Sequence, residues 1–376
     1  MKILILGNYK SPHILKWSKS LANNGIIICL VSFQKIEEDI YQDYENITVH
    51  SLNVLSNNTL YNSEIGKFKK INYLRGVPKL LKIINSFKPD IVHAHYASGY
   101  GLVGALSGFK PFIVSVWGAD VFSFPKVSVI HKMILKFILL KADVILSTSN
   151  VMAVETKKYT DKTILVTPFG IELNIFKPKA VKSLFGPRDI VIGTIRNLSP
   201  KYGIEVLLDA FKILKDKLPE HPLKLLIVGG GELDSKLKRI ALNHNLMESV
   251  VFTGIVNYNE IPKYHNMIDI FVALSNDDSE SFGVAIIEAS ATEKPVVVTC
   301  VGGLPEVVID GKTGFIIKPN DPIEAAISIE KLILNKPLRE ELGKNGRKRV
   351  ADLYDFSVNL NQMIEIYYDT IRNSRS

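Results

Sequence analysis

The chain has 376 residues, of which 47% are hydrophobic and 22% charged, and its formal net charge is +8. This is the composition of an ordinary soluble globular protein, long enough for two domains with separate cores. Cys29 and Cys300, the only cysteines, lie in apolar strand-like segments, so a disulfide framework is not expected and a reducing compartment fits. The most apolar run, 130–140, contains Lys132 and Lys136 and is too short to span a membrane. The N-terminal MKILILGNYK predicts a strand rather than a signal peptide.

The positive charge is concentrated in the first half of the chain. Residues 1–170 carry a net charge of +9 and the remainder carries −1. Basic residues are densest between Glu64 and Asp90, a span without another acid: Lys67, Lys69, Lys70, Arg75, Lys79, Lys82 and Lys88. Such a run is either a solvated helix face or a contact for an anionic partner, namely a membrane surface or a phosphorylated acceptor. Nucleic acid is not expected, because no aromatic-interleaved basic motif accompanies the run.

Short apolar runs alternate with segments of helical periodicity along the whole chain. This alternation predicts an α/β protein with two Rossmann-like parallel sheets and crossover helices. In the first half the predicted strands are Lys2–Leu6, Ile26–Ser32, Ile91–His95, Phe112–Val116, Val144–Ser147 and Ile164–Thr167. In the second half they are Ile190–Thr194, Lys224–Val228, Val250–Thr253, Ile270–Ala273, Pro295–Thr299 and Phe315–Ile317.

A domain boundary is predicted near Pro168–Pro187, where a segment with glycine and proline follows a strand. We therefore expect an N-terminal domain over 1–170 and a C-terminal domain over 171–355. A final helix is expected within 356–376, because its apolar residues fall on one helical stripe. These residues are Phe356, Leu360, Met363, Ile364, Tyr367 and Ile371.

The stretch from Asn276 to Gly314 is the most informative for function. Glu280 and Glu288 are eight positions apart, so the first is expected in a loop and the second about a turn and a half into a helix. The N–H groups at that helix N-terminus would form a phosphate site and would come from Ser281, Phe282, Gly283 and Val284. Carboxylates accept hydrogen bonds from hydroxyl groups, and backbone N–H groups donate them to phosphate, so the combination suits a nucleotide-sugar. Alternatively, Glu280 only complements the helix dipole and Glu288 is a solvated helix acid.

This pattern resembles the E-x7-E signature of the retaining family-4 glycosyltransferases of the GT-B fold, and the resemblance covers residues 280–319. It implies two facing Rossmann-like domains with an interdomain cleft, the first binding an acceptor and the second a nucleotide-sugar donor. The segment TPFGIELNIFKP resembles the interdomain hinge of that family. The final helix, 356–376, would cross back to the N-terminal domain.

The same resemblance implies a donor site in the second half of the chain. In IGTIRNLSPKYG, Arg196 and Lys201 would bind the diphosphate, the arginine through its fork and the lysine as a point charge. Glu280 would hold hydroxyls of the donor sugar, and Glu288 would hold the ribose hydroxyls. The glycines of KLLIVGGG that would line the nucleotide cleft are Gly229 and Gly230.

In the first half, candidate acceptor-binding residues lie where predicted strands end. Gly7 follows the first strand, and His13 stands near the start of the next helix. His93 and His95 share one face of a strand. We interpret His93 as a core histidine satisfied by backbone and His95, nearer the strand end, as the site candidate. A zinc site is not expected, because further ligands at suitable spacing are not evident.

The segment SVWGADVF departs from the family pattern. It has Trp117 where related enzymes commonly have a histidine that reaches the donor sugar. Tryptophan can stack on a sugar or acceptor but cannot exchange a proton. Asp120 remains, and the resemblance makes it a catalytic ligand of the sugar or acceptor together with Glu280, Arg196 and Lys201.

These features predict a retaining, metal-independent transferase without a tightly bound cofactor. The donor would be a UDP- or GDP-sugar, and the acceptor a hydroxyl of a glycan or a polyprenyl- or other lipid-linked molecule in surface polysaccharide or glycolipid biosynthesis. Asp277-Asp278 is not the Asp-x-Asp of metal-dependent transferases. A cytoplasmic location is expected, with peripheral contact to the inner face of the cell membrane left open. The alternatives are a nucleotide-sugar 2-epimerase of the same fold and a catalytically inactive nucleotide-binding partner subunit.

Overall fold

The computed structural model describes residues 1–55 and 69–375 and divides the chain into two compact units. The first unit comprises Met1–Phe169 and Val358–Ser376, and the second comprises Gly170–Ser357. Lys67 of the basic run lies outside the described residues.

The first unit contains a seven-stranded parallel sheet, and helices connect most of its consecutive strands. Its strands are β1 Lys2–Leu6, β2 Ile27–Gln34, β3 Ile47–Leu55, β4 Ile91–His95, β5 Phe112–Val116, β6 Val144–Ser147 and β7 Ile164–Val166. Its helices before the second unit are α1 Pro12–Asn23, α2 Val77–Phe87, α3 Leu102–Ser107, α4 Ala119–Phe122, α5 Val129–Lys141 and α6 Asn150–Lys157. The strand order is β3-β2-β1-β4-β5-β6-β7.

The second unit contains a six-stranded parallel sheet. Its strands are β8 Ile190–Ile195, β9 Leu223–Val228, β10 Val250–Phe252, β11 Ile270–Ala273, β12 Val296–Thr299 and β13 Gly314–Ile317. Its helices are α7 Ile204–Lys217, α8 Asp234–Asn243, α9 Ile261–Met267, α10 Val284–Ala291, α11 Leu304–Val307, α12 Pro322–Leu334 and α13 Lys336–Leu353. The strand order is β10-β9-β8-β11-β12-β13. The prediction of two Rossmann-like parallel sheets is confirmed.

The strand β3 is the one element of these sheets that the sequence analysis missed. Its residues alternate between buried and exposed, with Ile47 and Leu52 inside and Thr48 and His50 outside. The predicted strands were recognised by continuous apolar runs, which are typical of parallel strands covered on both faces. Because β3 is at the edge of the sheet, it lacks such a run and resembles a polar loop in sequence.

The last helix, α14 Phe356–Arg375, belongs to the first unit from Val358 onward. The Tyr367 hydroxyl lies 2.7 Å from Nδ1 of His93, and the Ser115 hydroxyl lies 2.8 Å from Nε2. His93 is therefore a core histidine, as interpreted, but its partners are side chains rather than backbone groups. Its fully buried ring connects β4 to α14 through Tyr367 and to β5 through Ser115.

Each sheet has one topological switch point, where the strand order changes direction. It lies between β1 and β4 in the first unit and between β8 and β11 in the second. Ligands of open α/β sheets bind beyond the carboxyl ends of the strands at such points. Gly7 follows β1 and His95 ends β4, whereas Arg196 follows β8 and Glu280 stands in the loop after β11. The fold therefore brings predicted site residues to both switch points.

Candidate functional site

The switch point of the second unit holds two predicted cations and one predicted carboxylate. Nη2 of Arg196 lies 3.0 Å from Oε1 of Glu280, and the two side chains are only 5% and 11% exposed. The Arg196 guanidinium carbon and the Lys201 ammonium lie 4.6 Å and 4.7 Å from the centre of the Tyr202 ring. An aromatic face attracts cations, so one ring holds both positive charges in one place. Tyr202 was not predicted, although it is the neighbour of Lys201 in sequence.

The Arg196 guanidinium is not fully satisfied by the protein. Its Nε and Nη2 atoms are buried and make no hydrogen bond within the part of the chain that the structure describes. The contact with Glu280 is short enough for an ion pair but lacks hydrogen-bond geometry. Buried polar groups are nearly always hydrogen-bonded, so donors left over at a switch point indicate a place for an anionic ligand.

Two glycines allow the loops of this site to approach closely. Gly229 has φ +131°, and a Cβ there would lie 1.8 Å from the Arg196 carbonyl oxygen. Gly302 has φ +51°, and a Cβ there would lie 2.2 Å from the Glu280 carbonyl oxygen. Any side chain at either position would displace the residues of the ion pair. Gly230, also predicted to line the nucleotide, follows Gly229 and accepts a hydrogen bond from the Leu198 N–H at 3.0 Å.

Backbone hydrogen bonds join the loops that carry these residues. The N–H of Asn276 donates to the Lys201 carbonyl at 2.9 Å, and the N–H of Gly303 donates to the Glu280 carbonyl at 2.8 Å. The loop that follows β11 is thereby held to the loop that follows β8. Ser281 and Phe282 are buried in it, Gly283 caps the next helix with φ +89°, and α10 begins at Val284.

Glu288 is the fifth residue of α10 and belongs to a different set of contacts. Its Oε2 lies 3.2 Å from Nε2 of His265, and both side chains are buried. Burial raises the pKa of the Tyr258 hydroxyl, and the nearby charges of Glu288 and Glu172 add to that rise. The alternative interpretation of Glu288 as a solvated acid is therefore wrong. Sequence reasoning missed His265, because it is 23 positions away on α9 and only folding brings it to Glu288.

In the first unit, aromatic rings gather at the switch point. The His13 ring stacks on Phe169 with centroids 4.1 Å apart, and its centroid lies 5.7 Å from that of Trp117. The His95 ring lies 5.1 Å from Trp117 and 4.0 Å from His93. His95 is 3% exposed, and within the described residues neither of its ring nitrogens has a hydrogen-bond partner. The rings of three predicted acceptor residues, His13, His95 and Trp117, therefore meet.

Gly7 has a packing role in the structure, and Asp120 binds backbone N–H groups. A Cβ at Gly7 would lie 2.6 Å from Cδ1 of Ile14, so the glycine lets α1 pack against the end of β1. Asp120 is fully buried and accepts hydrogen bonds from the N–H groups of Ala97, Trp117 and Gly118 at 2.8–3.3 Å. Burial raises the pKa of its carboxyl group, and these backbone donors oppose the rise. In this structure Asp120 holds the loop that carries Trp117.

Among the residues described, no group of three or more His, Cys, Asp or Glu side chains is arranged to hold a metal ion.

Because the His95 ring is buried, we expect the stability of the first unit to fall at acidic pH. Burial lowers its pKa to about 3, and the positive charge that His13 can carry acts in the same direction. Unfolded histidine has a pKa of about 6.5, so between these values only the unfolded chain binds this proton. The contribution of the neutral, buried His95 to the free energy of unfolding is therefore fully present above a pH of about 6.5 and is lost as the pH falls toward 3.

We expect His95 alone to lower the free energy of unfolding by about 2 kcal/mol between pH 7 and pH 5. Denaturant unfolding of the wild type and of His95→Gln at both pH values measures this difference. Val92→Ala, a fully buried substitution in the same strand that removes no titratable group, is the control and should keep the wild-type pH dependence. Identical pH dependence in the wild type and His95→Gln would contradict the assignment.

Two family models match the chain. The model described as "Glycosyl transferases group 1" matches residues 176–349, and the model described as "Glycosyl transferase 4-like" matches residues 2–149. The first match contains Arg196, Lys201, Glu280 and Glu288. The second contains His13, His95, Trp117 and Asp120.

Relatives and solved structures agree with these matches. An uncharacterized glycosyltransferase of Methanocaldococcus jannaschii is 28% identical over 85% of this chain and 84% of its own length. A GDP-mannose-dependent α-(1-6)-phosphatidylinositol monomannoside mannosyltransferase of Mycolicibacterium smegmatis is 33% identical over 44% of each chain. The structure of Anabaena HepE in complex with UDP-glucose is 20% identical and covers 98% of this chain and 100% of that one, with a TM-score of 0.78. The protein thus belongs to the group 1, family-4 type glycosyltransferases, and the predicted α/β GT-B fold is confirmed.

Proposed function

We propose that this glycosyltransferase moves a sugar, with retention, from a nucleotide-diphosphate sugar to a hydroxyl of a glycan or lipid-linked acceptor, in surface polysaccharide or glycolipid biosynthesis. The observation that carries the proposal is the buried Arg196–Glu280 pair, with Lys201 on the Tyr202 ring that Arg196 also contacts. Two cations, of which Arg196 has buried donors without a partner in the described residues, suit the diphosphate, and the carboxylate beside them suits sugar hydroxyls.

Charge stabilisation would be the main catalytic contribution of the second unit. Breaking the sugar–phosphate bond places negative charge on the departing diphosphate. Arg196 and Lys201 would neutralise that charge in a buried setting, where preorganised donors act most strongly. The N-terminus of α10, at Gly283 and Val284, would add its dipole. With these groups in place, the transfer requires no divalent metal.

The two carboxylates would have separate tasks. Glu280, fixed by Arg196, would accept hydrogen bonds from the donor sugar. Glu288 would accept them from the ribose, and His265 would orient its carboxylate through the contact at Oε2. Retention would follow from departure on the face that the acceptor attacks, with the leaving phosphate taking the proton of the acceptor.

The first unit would bind the acceptor through its ring cluster. Trp117 and His13 are partly exposed and have flat faces of the kind that stack on sugars, whereas the buried His95 would support Trp117 from behind. Burial lowers the pKa of His95 to about 3, which keeps this ring neutral at neutral pH. Trp117 would contribute stacking in place of a histidine, and Asp120 would position it through the loop hydrogen bonds.

The proposal also includes the nucleobase of the donor and the location of the enzyme in the cell. The UDP-glucose bound to HepE and the GDP-mannose dependence of the mycobacterial relative support either base. The net charge of the first half supports an anionic partner, which we take to be a lipid-linked acceptor at the cytoplasmic face of the cell membrane.

A donor panel tests the proposal directly. The full chain is incubated with UDP- and GDP-sugars and a membrane extract as acceptor, and the released nucleoside diphosphate is measured. We expect release that depends on the extract, is selective for one base and is unchanged by EDTA. Conversion of the donor without acceptor would indicate the epimerase, nucleotide binding without turnover the inactive subunit, and activity restored only by manganese a metal-dependent site.

In that assay Lys201→Gln should lower kcat by about 10²–10³, because one of the charges that stabilise the leaving group is lost. Lys336→Gln, at the exposed start of α13, removes an equal charge far in sequence from the site and should leave kcat unchanged. Similar rates for the two variants would exclude Lys201 from the reaction.

The two glutamates should separate in kinetics. We expect Glu288→Gln to raise the donor KM, because a ribose contact made in both ground and transition states is weakened. Glu280→Gln should lower kcat, because the sugar changes charge and shape only during transfer. Equal, small effects of the two substitutions would refute this division of roles.

A further inference from the structure

Helix α5 of the first unit has two apolar faces. One face packs into the core through the fully buried Leu135, Ile138 and Leu139. The other face points to solvent and consists of residues that are each 64–74% exposed: Val129, Ile130, Met133 and Leu140. At about 100° per residue these four side chains fall within roughly 100° of arc, opposite the buried face. The exposed residues therefore form one stripe, which we call the α5 stripe.

Exposed lysines border the α5 stripe on both sides. Lys132 and Lys136 project along one edge, Lys141 projects beyond the other edge, and Lys126 precedes the helix. The sequence has no acid between Asp120, which is fully buried, and Asp143. The carboxylate of Asp143 lies 2.6 Å from the ammonium of Lys110 at the end of the helix. The exposed surface of α5 is thus apolar along its middle and positive at its edges.

The charge pattern of the α5 stripe favours an anionic lipid bilayer over a second copy of the chain as its partner. A second copy of the chain would bring one set of lysines against another, and like charges oppose such a contact. An anionic lipid bilayer complements both parts, because the acyl boundary accepts the apolar side chains while phosphate groups attract the lysines.

We propose that the α5 stripe with its bordering lysines is a membrane-docking surface that lies in the headgroup region of an anionic bilayer. The helix of 13 residues is about 20 Å long, shorter than the ~30 Å hydrocarbon core. None of the helices in the described ranges is long and apolar enough to cross a bilayer. The helix therefore lies along the surface, with its opposite face still packed on the sheet. This deepens the membrane part of the proposed function but does not depend on the transfer reaction.

The basic run that the sequence analysis singled out is a rival surface. On α2, Lys79 and Lys82 are exposed, but Leu81, at 39%, is the one strongly exposed large apolar residue of that helix. Charge without apolar area gives weak, diffuse attraction, whereas α5 combines the two. The two helices therefore offer a matched comparison with the same loss of charge.

Cosedimentation of the full chain with vesicles tests the proposal. The vesicles are phosphatidylcholine with or without phosphatidylglycerol, and partitioning is measured at low and high salt. We expect binding only to the anionic vesicles, weakened by salt. Lys132→Gln/Lys136→Gln should lower the partition coefficient at least tenfold, since each lysine contributes roughly fivefold near an anionic surface. Lys79→Gln/Lys82→Gln should change it little.

The apolar part has its own control. Ile130→Gln/Met133→Gln should lower the partition coefficient at least tenfold. Ile323→Gln/Ile327→Gln, on the exposed side of α12 in the second unit, should leave it unchanged. All four double variants should keep the unfolding transition of the wild type, because the altered side chains are exposed.

Three results would overturn the proposal. They are absence of vesicle binding by the wild type, equal loss of binding in the α2 and α5 lysine variants, and a dimer on gel filtration that the α5 substitutions dissociate. The donor panel gives an independent result, because α5 variants should still turn over donor with a soluble acceptor. Vesicle binding without any transfer would refute the proposed function and leave the docking surface intact.

Discussion

The buried contact between Arg196 and Glu280 is the interaction on which the candidate donor site depends. Removing two charges from water is costly, and their mutual attraction offsets that cost only when further hydrogen bonds satisfy the remaining atoms. Here Nε and Nη2 of the arginine make no hydrogen bond within the described residues. The pair is therefore poorly explained as a stabilising element, whereas a bound diphosphate would supply the acceptors that the guanidinium lacks.

Backbone geometry holds this pair in place. Gly229 and Gly302 bring loops to the carbonyl groups of Arg196 and Glu280, and each adopts a positive φ that favours glycine. The hydrogen bond from Asn276 to Lys201 connects the loops after β8 and β11. Because the strands that carry these loops are neighbours at the switch point, the sheet fixes the distance between the cations and the carboxylate.

The sequence was informative where the chemistry is local. Continuous apolar runs located the buried parallel strands, but edge strand β3 alternates and was missed. Spacing placed Glu280 in a loop and Glu288 within a helix, yet the partner of Glu288 could not be predicted, because His265 lies on another helix. The resemblance implies that Asp120 is a ligand of the sugar or acceptor. In the structure this residue is fully buried, and its carboxylate oxygens accept hydrogen bonds from backbone N–H groups. The run 130–140 was recognised as apolar, but only packing decides which of its faces remains exposed.

Isothermal titration of the full chain with nucleoside diphosphates and monophosphates tests the central claim most directly. If Arg196 and Lys201 hold the second phosphate, UDP or GDP should bind at least about tenfold more tightly than the matching monophosphate, since charge-assisted hydrogen bonds contribute about 1.5–3 kcal/mol. In Arg196→Gln that preference should largely disappear while the monophosphate affinity is kept. Equal affinities for diphosphate and monophosphate in the wild type, or a preference unchanged in the variant, would contradict the account.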